Sequence, residues 1–375
     1  MFLLARRFVL FLFFIGGFML PVFSQATCEE TLNQAATEFD AGRFYSLPAV
    51  LKTCLEGGFT ADQRFRAFYL LAQAYLVLDD PIAAEDSYLK LLRENPEFVP
   101  NEKSDPIDLV YLSRKFTTRP KFTPHVRIGA NLSIPRVIYE LNTFSSGVSI
   151  NRSLKVGIPQ LGIGVDWNLS DNWSIGAEVN YAPKIHSETI TNIARDDKAL
   201  ITDRSAWLDF PILVKYSDDS GRWRPFGYAG FALNLLLSNS ASYTFSDFSP
   251  SLGNSIKPAE GPDEDLAYKR NFLNRSLVIG GGVKYKIGKN YIYADARYMI
   301  GLSNLTIPEK NYYQADGITL ASTVTQYQYT SDFFRLDNLA ISVGYVRPIY
   351  DPRKIKRPSA KGFLRTLFRP KGKSK

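Results

Sequence analysis

The sequence predicts an α + β multidomain chain in which an N-terminal α-helical repeat domain precedes an eight-stranded antiparallel transmembrane β-barrel. Three observations carry this reading. The apolar period changes from three or four residues to two after about residue 118, the second part holds eight runs of strand length, and the connections between those runs alternate between short and long. The segments expected are a signal peptide at 1–26, a periplasmic helical domain at 27–118, a linker at 119–123, the barrel at 124–350 and a basic periplasmic tail at 351–375.

Composition bounds the chemistry. The 375 residues are 45% apolar, enough for real cores, and this excludes disorder throughout. Two Cys and two His exclude a disulfide scaffold and a thiolate zinc site, and leave little for a histidine metal centre. The expectation is a protein without cofactor or metal that is not an enzyme. The formal charge of +8 asks where the positive charge sits.

The leader sets the compartment. Arg6 and Arg7 precede the apolar run FVLFLFFIGGFMLPVF, and Ser24-Gln25-Ala26 has the small-residue spacing of a cleavage site, so a secretory signal ends after about Ala26. Export removes nucleic acid as a partner. The residues before Cys28, Gln25-Ala26-Thr27, do not form a lipidation box, and in an exported chain Cys28 and Cys54 are the natural disulfide candidates.

From Cys28 to about Lys115 the pattern is helical. Phe68, Leu71, Ala72, Tyr75 and Leu78 recur at helical steps, Asp79-Asp80-Pro81 stops one helix and starts the next, and Ala83, Ala84, Tyr88, Leu91 and Leu92 share a face of the second. Phe68, Leu71, Ala72, Tyr75, Ala84, Tyr88 and Pro96 fall on the large, small, aromatic and proline positions of the tetratricopeptide repeat, which this segment resembles; Asp79 and Leu91 depart from it. Residues 29–40 and 46–55 resemble a degenerate earlier copy. A capping helix from Pro106, with Asp105 as N-cap, is expected to turn Ile107, Val110 and Leu112 toward the stack. The resemblance implies that Arg66, Tyr69, Gln73 and Leu76 line a concave face that binds partner peptides; the alternative is ordinary solvated surface.

From His125 to Tyr350 the runs are VRIGANL, QLGIGVDWNL, WSIGAEVNY, LDFPILVKY, FGYAGFALNLLL, SLVIGGGVKYKI, YIYADARYMIGL and LDNLAISVGYV. Short turns join runs two and three, four and five, and six and seven, while residues 134–157, 185–204, 245–272 and 305–332 form long connections. Alternation leaves open which face meets water. The leader, the loop asymmetry and the Tyr and Trp residues near strand ends select a barrel in the outer membrane with both termini in the periplasm. Arg127, Asp166, Glu178, Lys284, Asp295 and Arg297 are expected to point inward as a polar plug, with an ion or substrate path as the alternative. His125 is read as an interfacial residue. His186-Ser187-Glu188 has the residue types of a hydrolase relay, but neighbours in an extended strand face opposite sides.

LDFPILVKY, the GGGVKYKIG hairpin into YIYADARY and the terminal ISVGYV strand resemble the PorT-like small outer-membrane β-barrels of Bacteroidota. Members of that family include parts of the type IX secretion machinery. The resemblance implies an outer-membrane protein that anchors or organises a periplasmic assembly, with a link to secretion or surface biogenesis. A lipid-modifying enzyme and a narrow diffusion channel are the alternatives. The tail concentrates the charge: Arg353, Lys354, Lys356, Arg357, Lys361, Arg365, Arg369 and three further lysines stand against Asp351 alone, so the rest of the mature chain is slightly acidic. Outer-membrane lipids, a periplasmic protein and cell-wall polymer are the partners this pattern suits.

Overall fold

The computed structural model describes residues 23–355 apart from 142–147, 192–197, 219, 247–258, 262, 322–323 and 325–328. Most of the expected leader and the tail from Lys356 lie outside the described residues. The chain divides into two compact units, one made of residues up to Arg119 together with those from Tyr350 onward, the other of Pro120–Ile349.

The first unit is helical. Its helices are α1 Phe23–Asp40, α2 Leu47–Glu56, α3 Ala61–Val77, α4 Pro81–Glu94 and α5 Ile107–Ser113. Their boundaries follow from local chemistry. Thr60 and Gln63 form a reciprocal capping box at the start of α3, with bonds of 2.8 and 3.3 Å. Asp80 accepts from the Ala83 N–H at 3.0 Å, and Pro81 opens α4, where its missing N–H costs nothing. Leu32, Leu47, Leu51 and Leu71 form one core among α1, α2 and α3, where Cys28 and Cys54 are disulfide-bonded. Ala72, Tyr88, Leu91, Leu109 and Leu112 form a second among α3, α4 and α5.

Two expectations for α5 are corrected. Pro106 stands at the N-cap without a side-chain bond, because Asp105 is committed elsewhere: it accepts from Tyr69 at 2.6 Å and from the Asn101 N–H at 2.7 Å. Ile107 is exposed, and Leu109 takes the buried position beside Val110 and Leu112. The tail also begins differently. Arg353 and Lys354 pair antiparallel with Thr117 and Phe116, so the chain end is stitched into the helical unit before the charge run continues.

The second unit is a closed antiparallel ring of eight strands: β1 Phe122–Tyr139, β2 Val156–Asn168, β3 Trp173–Thr191, β4 Lys198–Ser217, β5 Trp223–Ser246, β6 Leu273–Ile287, β7 Asn290–Gly301 and β8 Phe333–Val346. Each pairs with its chain neighbours, and the β8–β1 ladder closes the ring. Closure leaves no unpaired strand edge around the wall, the condition for a sheet to stand in lipid. The β6–β7 hairpin turns through Gly288 at φ 61°, a conformation that favours glycine.

The ring resolves which face is apolar. Val126, Ile128, Ile163, Val165, Ile212, Val214, Ile279, Ile341 and Val343 point outward and are exposed, while Arg127, Asn131, Glu178, Asn180, Asp295 and Arg297 point inward and are buried. A water-soluble barrel would invert this pattern. Trp167, Trp173, Tyr216, Trp223 and Tyr345 are outward and exposed near the short-turn end, where Trp173 and Tyr216 lie 5.1 Å apart, as an interfacial girdle requires.

The strands run longer than the apolar runs suggest. The β3–β4 ladder continues from Lys184–Ser205 to Thr191–Lys198, and Ser149–Leu154 adds to β3 opposite His186–Thr191. Much of the long connection expected at 185–204 is therefore paired sheet. Beyond the lipid belt both faces are free to be polar, so alternation vanishes while pairing continues. Lysine at Ile341, near mid-belt, is expected to cost about 2–4 kcal/mol of folding free energy in phospholipid vesicles, measured by denaturant titration of tryptophan fluorescence.

Candidate functional site

The barrel lumen holds the densest set of ionisable groups. Glu178 on β3 lies 2.8 Å from Arg297 on β7, 3.0 Å from Lys215 on β4 and 3.3 Å from Arg127 on β1. Arg127 also meets Asp295 at 3.0 Å, and Lys215 meets Asp166 at 2.8 Å. The Tyr228 and Ser342 hydroxyls donate to Asp295. Three acids face three permanent cations, so charges that would be prohibitive singly neutralise one another. Glycines make the space: a Cβ on Gly164 would come within 2.7 Å of Glu178 and 2.6 Å of His125, and one on Gly176 within 2.6 Å of Lys215.

The six inward charges expected from sequence are brought to the lumen, with Lys284 set apart from the knot, its ammonium 3.2 Å from the Ser217 hydroxyl and 5.3 Å from the Phe226 ring. His125 is not interfacial. Its ring is buried, 3.4 Å from Glu178 and 3.8 Å from Asp166, because its parity on β1 matches that of Arg127. Sequence reasoning passed over Lys215, although it shares its face of β4 with Asp209 and Leu213.

Two more polar layers are stacked along the lumen. Lys184 pairs with Asp209 at 3.1 Å and lies 5.0 Å from the Trp207 ring. Arg270 pairs with Asp203 at 2.8 Å, and Arg152 with Asp332 and Glu188 at 2.9 and 3.2 Å. The cavity beside Glu178 has a volume of about 30 Å³ and the one beside His186 about 20 Å³, each large enough for about one or two waters. In the His186-Ser187-Glu188 stretch, His186 faces the Phe334 ring at 5.4 Å, while the Ser187 hydroxyl lies against Thr202 at 3.3 Å on the other face. The two do not form a nucleophile–base pair.

On the helical unit, the four expected partner-binding residues are engaged within the unit. Arg66 pairs with Glu29 at 3.0 Å. Tyr69 packs beside Phe65 and Phe98 and donates to Asp105, and burial followed by that carboxylate pushes its phenol up to about 12. Gln73 is buried, and Leu76 packs against the second core. Of the basic tail, Arg353 and Lys354 are described; Lys356, Arg357, Lys361, Arg365 and Arg369 lie outside the described residues. Lys354 and Lys115 clamp Glu85 at 2.6 and 3.2 Å, and the Tyr350 hydroxyl donates to Glu97 at 2.7 Å.

Two expectations follow from these ion pairs. Glu178→Ala leaves three buried cations short of their shared anion and is expected to destabilise the barrel by roughly 3–5 kcal/mol, read as a lower temperature for loss of the fast-migrating folded band in electrophoresis. Glu85 has its carboxyl held below 4.5, first by the Lys354 hydrogen bond. A depressed pKa stabilises the folded form above the unfolded value and loses that contribution as pH falls through the folded one. Hydrogen-exchange protection at residues 353–355, corrected for intrinsic rate, is therefore expected to hold from neutral pH to about 5 and to fall at lower pH; Glu85→Gln removes this dependence.

No curated protein matches the chain in sequence. Among solved structures, Neisserial surface protein A is 11% identical over 61% of this chain and 97% of its own, with a TM-score of 0.28. The outer membrane protein AlkL is 12% identical over 70% and 99%, with a TM-score of 0.31, and the outer membrane enzyme PagL 13% identical over 60% and 99%, with a TM-score of 0.24. The model of the outer membrane protein beta-barrel domain matches residues 117–306, just over half of the chain. Its apolar belt accordingly contacts outer-membrane lipid. By this match the chain, a closed barrel preceded by a few helices, belongs to the outer membrane protein beta-barrel domain family.

Proposed function

We propose that the barrel serves as a membrane anchor and that the helical unit and the basic tail organise a periplasmic protein assembly. The single observation that carries this reading is the filled lumen: Glu178 is tied to Arg127, Lys215 and Arg297, so the interior supports a wall rather than a path. The two cores of the helical unit fit a tetratricopeptide-like pair of helical hairpins closed by α5. With Tyr69, Gln73 and Leu76 packed into the unit, the partner surface falls to exposed side chains, among them the half-exposed Arg66 whose surface ion pair with Glu29 a partner carboxylate can replace, and to the tail. The likeness to PorT-like barrels supports a role in secretion or surface biogenesis. The separation of His186 from Ser187 counts against the lipid-modifying alternative.

Affinity purification of the full-length protein from crosslinked cell envelopes tests the reading. The expected result is a periplasmic partner retained by the wild type and reduced at least tenfold by Arg66→Glu combined with Arg365→Glu and Arg369→Glu. Purified barrel is expected to be electrically silent in planar bilayers. Stepwise conductance, or retention of no partner beyond that of an unrelated barrel, would sink the anchor role.

A further inference from the structure

The outer face of the barrel changes character at one place on the β1–β8 seam. Moving up β8 from the turn end, the outward residues are Tyr345, Val343, Ile341 and Leu339, and then Asp337 and Arg335. On β1 the outward series Val126, Ile128, Ala130, Leu132 and Ile134 reaches Arg136, with the exposed Ile138 and Tyr139 after it at the strand end. Arg335 and Arg136 are direct cross-strand partners, so two guanidiniums stand side by side facing away from the lumen. Like charges directly opposed in a ladder repel, and of the two it is Arg136 that a carboxylate meets. That carboxylate, Asp337, is fully buried and already engaged. It accepts from the Tyr298 hydroxyl at 2.8 Å and the Gly301 N–H at 2.9 Å, and it pairs with Arg136 at 3.0 Å. Among the described residues, the buried Arg335 Nε has no hydrogen-bond acceptor, and no carboxylate pairs with Arg335. Arg275 stands on the same outward face of β6, two strands from β8, between the exposed Leu273 and Leu277; its carbonyl accepts the Leu302 N–H at 2.9 Å.

The depth of this cluster is set by strand geometry. Arg335 lies ten residues along β8 from the girdle residue Tyr345. At a rise of ~3.4 Å per residue and a tilt near 40° this is roughly 26 Å, close to the height of ~25 Å for the apolar band of such barrels. The arginines therefore meet the interface opposite the short turns, which in outer-membrane barrels is the outer leaflet. Guanidinium forks at that level match the oxygens of a phosphomonoester two at a time, which an isolated lysine does not.

We propose that Arg136 and Arg335, flanked by Arg275, form a binding site for a phosphorylated lipid headgroup in the leaflet opposite the short turns. The phosphate accepts from the terminal guanidinium N–H groups of both arginines, gives Arg335 the anion it otherwise lacks and relieves the repulsion between the pair. The acyl chains lie along Leu339, Ile341 and Val343, the apolar residues next to the site on β8.

Native mass spectrometry of the full-length protein, titrated in detergent with lipid A carrying its phosphates, tests this directly. The expected result is retention of phosphorylated lipid A at least tenfold stronger than that of the dephosphorylated form. Arg136→Gln combined with Arg335→Gln is expected to abolish the difference, and the matching double Lys variant, which keeps the charge but loses the forks, to leave an intermediate preference. The folded band in unheated electrophoresis reports that each variant retains the barrel. Millimolar inorganic phosphate is expected not to compete. Equal retention of the two lipids, an unchanged preference in a folded Gln variant, or full displacement by inorganic phosphate overturns the proposal.

Discussion

A carboxylate inside a narrow barrel has to be satisfied from several walls at once, and Glu178 is met from three. Arg127, Lys215 and Arg297 come from β1, β4 and β7, strands that approach one another only when the ring has closed. The reverse dependence holds as well. With lipid outside there is no water to accept a misplaced charge, so a slip of one residue in any of these ladders would turn a guanidinium or carboxylate into the apolar belt. The polar knot and the ring thus specify each other: the knot fixes register, and the closed register gives every member of the knot a partner.

This mutual dependence explains what the sequence discloses. Within the lipid belt the environment is strictly two-sided, and the alternation of Leu161, Ile163 and Val165 with Gly162, Gly164 and Asp166 records it directly. Alternation is symmetric under exchange of faces, so it shows the strands but not which face is wet; pairing Glu178 with cations from three other strands decides that. Outside the belt the constraint lifts. The mixed run from His186 to Thr191 reads as a loop although it is paired throughout, and Arg136 and Arg335 fall at strand ends where no periodic signal remains. Lys215 was legible from its parity with Asp209, whereas the match between Arg353–Lys354 and Thr117–Phe116 is too short to leave any pattern.

The helical unit shows the same rule in a different solvent. Its caps and its two apolar cores follow from local spacing, but the partners of its charged residues come from far along the chain: Glu85 is held by Lys115 and by Lys354, which follows the whole barrel in sequence. The barrel is thus an insertion within the helical unit, whose second edge is supplied only after β8 has been made. Tyr69 illustrates the cost of reading function from repeat position, since Asp105 uses a hydroxyl that a longer solenoid leaves for a ligand.

The distribution of paired and unpaired charge separates scaffold from surface. In the lumen both arginines and the lysine of the knot each meet a carboxylate. At the outward seam the pairing is uneven: of two opposed arginines Arg136 meets Asp337, whose oxygens also serve Tyr298 and Gly301, and Arg335 has no carboxylate among the described residues. An arginine set directly against a second arginine and without a carboxylate of its own among the described residues is costly on a face turned to lipid, whereas each arginine of the knot has one. The physical difference between the two clusters is what each faces. The inner one faces protein, which can be built to close it, and the outer one faces the membrane, whose phosphates are the nearest anions able to do so.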